Sequence, residues 1–208
     1  MTHAPVLADR IVRGEGLAWD AARIFAANLL LIACAQIAVP LPWTPVPVTL
    51  QTFALMFIAV ALGARRSAIA CALYLLEGAL GLPVFQPLGM PGALRLLGPT
   101  AGYLWSYPAA AFVTGWLVER WAHTSVPRLY GALAAGQVIV LGAGWAWLAM
   151  IGTLLLPASG AQAPAAMGWS AAFTAAVAPF LLWDIIKMTL VVAATKTVEL
   201  AGAGKDGK

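Results

Sequence analysis

Charged side chains are scarce in this chain of 208 residues: Asp, Glu, Lys and Arg make up 10% of it, whereas 62% is hydrophobic. A water-soluble domain usually carries about 25% charged residues. The chain therefore lacks the polar surface that keeps a globular domain in solution, and we interpret it as an integral membrane protein. Its apolar stretches are long continuous runs, which favours transmembrane helices over the short alternating strands of a β-barrel.

Residues that carry common enzyme chemistry are also few. The two cysteines, Cys34 and Cys71, lie in apolar runs, and the two histidines are far apart in sequence, so no metal-ligand spacing is present. There is no His–acid pair, no Gly-x-Ser-x-Gly elbow and no HExxH motif. The sequence thus predicts neither a catalytic set nor a metal or cofactor site. Without a P-loop, the chain could not drive transport with an ATPase of its own.

Apolar runs separated by polar or Pro/Gly-rich connections predict an all-α protein with six transmembrane helices. Residues 1–17 form a polar tail, 18–198 the membrane domain and 199–208 a charged tail; the charges spread over residues 1–23 argue against a cleaved signal peptide. The predicted spans are residues 17–39, 50–63, 67–82, 100–118, 129–156 and 179–197, with a short surface helix at 165–178.

The positive charges predict the orientation. With six spans and both termini in the cytoplasm, ten of the twelve Lys and Arg residues fall on the cytoplasmic side, Arg95 falls outside and Lys187 lies within the membrane. This split follows the positive-inside rule. It accounts for the net charge of +4 as a membrane-orientation signal and gives no reason to expect nucleic-acid binding. We expect a multi-pass protein of the cytoplasmic (inner) membrane.

In this orientation the irregular segments 40–49, 81–99 and 157–168 all lie on the outer side. The first of them has four prolines within eight residues, which excludes a helix interior, yet it carries no charge. A loop this apolar is expected at membrane depth beside a cavity. The sequence therefore predicts a ligand pocket that opens to the exterior.

Asp184 and Lys187 are the most informative residues of the last apolar run. Three residues apart on a helix, they share one face and can form an ion pair. A charged side chain at mid-membrane costs about 2.5–3.5 kcal/mol and usually marks a substrate or ion path. The alternative is a buried pair that only locks two helices together, and buried pairs are weak evidence for stability. We favour the functional interpretation.

Further polar and aromatic residues converge on the same outer side. The candidate pocket residues besides the ion pair are Gln51, Arg95, Thr100, Tyr103, Phe85 and Trp43. Asp184 could accept a hydrogen bond from an N–H group, and Lys187 or Arg95 could meet a carbonyl or carboxylate. For the three aromatic residues, ordinary packing explains the sequence as well as a role in the pocket does. For Gln51, a position at the membrane interface does so equally well. A ligand with an apolar body, an amide-like group and a negative end would suit this set.

Small residues at four-residue spacing, Ala18, Ala22 and Ala26, form a ridge along the first apolar run. Such a ridge allows another helix to approach closely. Alanine is abundant here, so chance is the alternative explanation.

Four motifs, taken together, resemble one family. They are Pro45-Val-Pro-Val-Thr-Leu-Gln51, Gly81-Leu-Pro-Val-Phe85, Gly98-Pro-Thr-Ala-Gly-Tyr103 and Asp184-Ile-Ile-Lys187. In this order, and within about residues 20–197, they are similar to the BioY family, the biotin-specific S-components of energy-coupling factor (ECF) transporters. The resemblance implies the six-helix S-component fold with a biotin site near the outer face, contacted by Asp184 and Lys187 with Gln51 nearby.

The resemblance also implies partners. These are a transmembrane coupling protein, which would meet the Ala18/Ala22/Ala26 ridge, and two ABC-type ATPase subunits that supply the energy. It leaves open whether the chain also forms a homo-oligomer. Three other hypotheses stay in view: a subunit for another small carboxylated vitamin, a membrane-embedded enzyme with Asp184 as general base, and a purely structural assembly subunit.

Overall fold

The computed structural model describes residues 16–121, 125–154 and 168–203, and it is mostly helical, as predicted. Two-residue strands and one 3-10 helix lie between the α-helices. In chain order the elements are α1 (Leu17–Ala35), β1 (Ala38–Val39), β2 (Val48–Thr49), α2 (Gln51–Ala79), a 3-10 helix (Gly92–Leu97), α3 (Ala101–Trp121), α4 (Val126–Leu154), α5 (Trp169–Ala176) and α6 (Leu181–Ala203).

Several helices are suited to a bilayer. Within the described residues, Leu17–Ala35, Gln51–Ala79 and Val126–Met150 are each long and apolar enough to cross a membrane. The pair α5 and α6, bent by 42° at a short break, passes the same test as one unit. Many large apolar side chains also face outwards, including Leu76, Val138 and Leu182, where lipid rather than water would cover them.

The helix α2 is a hairpin folded at a single residue. Gly63 has φ 77° and ψ −174°, a conformation that is essentially restricted to glycine. Gln51 Nε2 donates to Tyr74 Oη over 2.6 Å, although 23 residues of straight helix would separate these residues by about 35 Å. Residues 51–62 and 64–79 therefore run antiparallel. The two predicted helices are present, but the predicted connection at Arg65–Arg66 is wrong, because both arginines already lie in the second helix.

Helix α3 stabilises this hairpin turn. Glu119 Oε1 accepts a 2.7 Å hydrogen bond from Ala64 N, which places a carboxylate at the start of the returning helix. Ser67 Oγ donates to Gly63 O over 2.5 Å. A Cβ on Gly115 would lie 2.5 Å from Gly63 C and Ala64 N, so α3 approaches the turn backbone to backbone. A side chain at position 115 would clash with this turn, and position 63 needs glycine for its backbone conformation.

At the opposite end of the hairpin, the irregular segments fold over the helices. β1 and β2 form a short antiparallel ladder, with Ala38 opposite Thr49 and Val39 opposite Val48, and they hold residues 40–47 as a loop between them. Thr44 Oγ1 donates over 2.7 Å to Ala175 O, near the C-terminal end of α5. The loop is therefore tied to the segment where α5 gives way to α6.

Helix ends differ modestly from the predicted ones. Pro179 was predicted in the first turn of the last helix, but it lies in the turn between α5 and α6, and α6 begins at Leu181. The helix α6 then runs to Ala203, beyond the predicted end near residue 197. The predicted loop 157–168 lies, except for Gly168, outside the described residues.

Candidate ligand-binding site

One cavity collects most of the predicted site residues. It is a partly open space between the helices and the irregular segments, with an apolar wall and a few polar groups. We call it the site cavity. The predicted residues that line it are Gln51, Phe85, Arg95, Thr100, Tyr103, Asp184 and Lys187.

The ion pair forms as predicted and faces this cavity. Lys187 Nζ lies 3.2 Å from Asp184 Oδ1, and the two residues are only 4% and 3% exposed. Asp184 is in the first turn of α6, where the helix dipole favours a negative charge. Thr52, which no sequence motif singled out, completes the group: its Oγ1 accepts from Lys187 Nζ over 2.9 Å and donates to Asp184 Oδ1 over 3.4 Å.

A second missed residue, Gln137 of α4, binds the other carboxylate oxygen. Its Nε2 donates to Asp184 Oδ2 over 2.5 Å. Gln137 is the only amide or charged residue between Leu129 and Met150, and it is 5% exposed. A lone polar side chain in such an apolar run is the signal that could have identified it. The carboxylate thus has partners from three helices.

Gln51 lines the cavity but is already engaged within the protein. Its Nε2 donates to Tyr74 Oη, and its Oε1 accepts from Thr49 Oγ1 over 3.2 Å. A side-chain amide has two N–H donors and two acceptor lone pairs. Gln51 therefore retains one donor and one acceptor for a ligand.

Arg95 is a buried cation without a counter-ion in the described part of the chain. It is 6% exposed. Its Nη2 donates to Gln86 O over 2.9 Å, and its Nε has no hydrogen-bond partner among the described residues. Burial lowers the pKa of the Arg95 guanidinium below its ordinary value, while nearby Tyr74 opposes the change; a guanidinium nevertheless stays protonated in proteins. The site cavity thus presents an unneutralised positive charge.

Aromatic rings form much of the apolar wall. Phe85 meets Tyr74 edge to face at 5.3 Å between ring centroids. Tyr103 lies 6.4 Å from Phe180, and its hydroxyl donates to Ala176 O over 2.6 Å. Because that hydroxyl is used to hold the end of α5, Tyr103 offers the cavity mainly its ring.

Trp43 does not line the site cavity, so the prediction that its side chain lies there is wrong. Its side chain is 66% exposed, and it does not contribute to the cavity wall. Within this turning loop, Thr44 and Val46 are buried, whereas Trp43 and Pro45 face outwards. Composition alone could not assign the inward face of this loop.

A second cavity adjoins the first. It is also partly open, and it shares Pro47, Gln86, Arg95 and Thr100 with the site cavity. Its remaining wall comes from the loop residues 40–45 and from the segment 88–99. Arg95 therefore lies between the two spaces.

Two features of the apolar runs lie away from both cavities. Ala18, Ala22 and Ala26 are exposed on α1, so the ridge is unoccupied by other described residues. Glu77, a further acid within an apolar run, is half-buried and lines neither cavity. Among the described residues, no cluster of three or more His, Cys, Asp or Glu side chains could hold a metal ion.

Comparison with known proteins places the chain in a family. The model of the BioY family matches residues 8–203. The biotin transporter BioY of Rhodobacter capsulatus is 36% identical over 179 residues, covering 84% of this chain and 89% of that protein. The biotin transporter BioY of Rhizobium etli is 34% identical over 171 residues, covering 79% and 83%.

The fold is also found in a solved structure. The crystal structure of the S-component for biotin from an ECF-type ABC transporter aligns with a TM-score of 0.72, covering 89% of this chain and 95% of the other at 21% identity. Its helices and those described above share one fold. From the extent of the family match, this chain belongs to the BioY family and is a multi-pass membrane transport protein rather than an enzyme.

Proposed function

We propose that this chain is the biotin-binding subunit of an ECF-type vitamin uptake transporter, which captures biotin from outside the cell. The observation that carries the proposal is the buried charge of the site cavity: Asp184, Lys187 and Arg95 all line one largely apolar space. Within the BioY family, such a space matches a ligand that is apolar in its middle and polar at both ends.

Biotin has these groups. Its cyclic urea carries two N–H donors and a carbonyl acceptor, the sulfur-containing ring fused to the urea and the alkyl side chain are apolar, and that side chain ends in a carboxylate. We assign an N–H of the urea to Asp184 and its carbonyl to Lys187 or to the remaining donor of Gln51. We assign the carboxylate of biotin to Arg95. Lys187 is already neutralised by Asp184, whereas Arg95 has no counter-ion among the described residues.

We further propose six membrane spans with both termini in the cytoplasm, counting residues 51–62 and 64–79 separately. The hairpin turn, Asp20 of α1 and Glu119 of α3 lie at one end, because Arg66 pairs with Asp20 over 2.8 Å and Ala64 N donates to Glu119. The site cavity lies at the other end, which would face outwards. The span 51–62 is only about 18 Å long, and the uncharged loop 40–49 would occupy the rest of the membrane beside the cavity.

The partners in this proposal are a transmembrane coupling protein in the inner membrane and two cytoplasmic ABC-type ATPase subunits. The exposed Ala18, Ala22 and Ala26 on α1 would receive a helix of the coupling protein, because small side chains allow close helix contact. We propose the same domain limits: a membrane domain at 18–198 between the two tails.

The test is equilibrium binding of labelled biotin to the detergent-solubilised chain, with competition by unlabelled compounds. Biotin and desthiobiotin should compete, because both carry the cyclic urea and the carboxylate. Other carboxylated vitamins that lack a cyclic urea, such as pantothenate, should not. Displacement by pantothenate at a similar concentration would instead identify a site for another carboxylated vitamin, and absence of saturable binding would favour a structural subunit.

A further inference from the structure

Gln137 is placed where it can do more than support Asp184. It lines the site cavity from α4, is 5% exposed, and donates through Nε2 to Asp184 Oδ2 over 2.5 Å. An ionised carboxylate can only accept hydrogen bonds. The amide must therefore turn its nitrogen towards Asp184, and this fixes its carbonyl oxygen, Oε1, on the other side.

That oxygen has no hydrogen-bond partner in the described part of the chain. Gln137 Oε1 is buried and accepts no hydrogen bond from any described residue. Leaving a buried acceptor unsatisfied costs about 1–3 kcal/mol. A structural link between α4 and α6 would explain why Nε2 donates to Asp184. Such a link needs only a donor, so it does not explain why the side chain is an amide with a buried, unsatisfied oxygen.

The acceptors around Asp184 can be counted. Lys187 and Thr52 both bind Oδ1, whereas Gln137 alone among the described residues binds Oδ2. A carboxylate oxygen accepts about two hydrogen bonds, so Oδ2 retains room for one more. Gln137 Oε1 accepts no hydrogen bond from the described residues, so both of its lone pairs are available. Two adjacent acceptors from neighbouring helices can therefore each accept a further donor.

We propose that Gln137 is a ligand-recognition residue, and that its Oε1 and Asp184 Oδ2 together accept the two N–H groups of a cyclic urea. This inference rests on the proposed function, since it concerns how the same site selects its ligand. A rotation of the Gln137 side chain would bring Oε1 to the ligand while Nε2 remains on Asp184. Oε1 then gains its first donor, and Oδ2 gains a second one beside Nε2.

The consequence is selectivity for both N–H groups. A site built to hydrogen-bond a ligand group rejects an analogue that lacks the group, because buried polar atoms are then left unpaired. Lactam analogues of biotin, in which a methylene replaces one or the other ureido N–H, keep the size and the carbonyl. Each should bind the wild-type chain at least about tenfold more weakly than biotin, or ~1.4 kcal/mol.

The experiment compares these ligands on the full solubilised chain with and without Gln137→Met, which keeps the side-chain length and removes both polar atoms. The variant should bind biotin about tenfold more weakly. One of the two lactam analogues should bind to the variant as tightly as it binds to the wild type, because this analogue lacks the N–H group that Oε1 accepts. An equal loss for biotin and both analogues, or unchanged biotin binding, would overturn the proposal.

Controls separate this outcome from other failures. Thr114→Val removes another buried, unpartnered oxygen, next to Gly136 on α4 but away from the site cavity, and should bind all three ligands as the wild type does. Should Gln137→Met not yield folded protein, Gln137→Asn shortens the amide and must show the same analogue-dependent loss; a uniform loss counts against the proposal. A wild-type chain that does not bind biotin would refute the proposed function itself.

Discussion

At the scale of single residues, the two cations of the site are in opposite electrostatic situations. Lys187 is neutralised by Asp184 at 3.2 Å. Arg95 is buried to a similar extent but has only the neutral Gln86 carbonyl as a hydrogen-bond partner among the described residues. A buried charge is tolerated when it is paired, so an anionic ligand group has most to gain at Arg95.

This difference predicts the effect of Arg95→Met. The variant should bind biotin at least about tenfold more weakly, since the carboxylate loses its cation. It should bind the uncharged amide of biotin about as well as the wild type does. The measurement is the affinity for both ligands by equilibrium binding. Arg128→Met, which removes an exposed arginine far from the cavity, is the matched control. A similar loss for acid and amide would show that Arg95 does not recognise the carboxylate.

How far the sequence predicts the site depends on the kind of residue. Asp184 and Lys187 could be predicted because a charge in an apolar helix has few explanations. Gln137 was missed although a lone amide in an apolar run carries the same signal. Trp43 was misplaced because the inward face of a proline-rich loop depends on tertiary contacts, here the bond from Thr44 to Ala175.

At the scale of elements, the hairpin of α2 decides where the site residues lie. Its turn at Gly63 brings Gln51 and Tyr74 together and leaves Thr52 beside Lys187. The sequence predicted the two apolar runs from their lengths. It could not show that the reversal takes one residue, because this depends on the close approach of Gly115 and on the bond from Ala64 N to Glu119.

Replacement of Gly63 by alanine should destabilise the chain. The observed φ of 77° is strained for any residue with a Cβ, and such strain costs about 1–3 kcal/mol. We expect a lower Tm for Gly63→Ala in thermal unfolding of the solubilised protein. Gly142→Ala in α4, where an added Cβ would meet no atom within 4 Å, should leave the Tm unchanged or raise it. Equal Tm values for wild type and Gly63→Ala would contradict the single-residue turn.

At the scale of the whole molecule, the hairpin turn with Asp20, Arg66 and Glu119 lies at one end and the site cavity at the other. The proposed orientation can be tested with single cysteines, since the native Cys34 and Cys71 are both buried. Leu88→Cys, on the wall of the second cavity, should react with a membrane-impermeant maleimide in intact cells. Arg128→Cys should react only after the membrane is permeabilised. The reverse pattern would place the cavity on the cytoplasmic side.

The exposed alanine ridge of α1 belongs to the same scale. Ala22→Leu should leave biotin binding unchanged, because Ala22 is remote from the cavity, and should reduce co-purification of the coupling protein. Ala21→Leu changes an equally exposed alanine that is rotated by about 100° around the helix, and it should retain the partner. Loss of the partner in both variants, or in neither, would remove the ridge from the interface.

The central claim is that Asp184 and Lys187 are buried in order to bind a ligand rather than to hold the helices together. The most direct measurement is the biotin affinity of the double variant Asp184→Asn, Lys187→Met, which removes both charges and so leaves neither one unpaired. Neutral replacements of a buried pair often preserve stability. The account predicts a folded protein whose biotin affinity falls by at least about tenfold; a folded double variant that binds biotin as tightly as the wild type would contradict it.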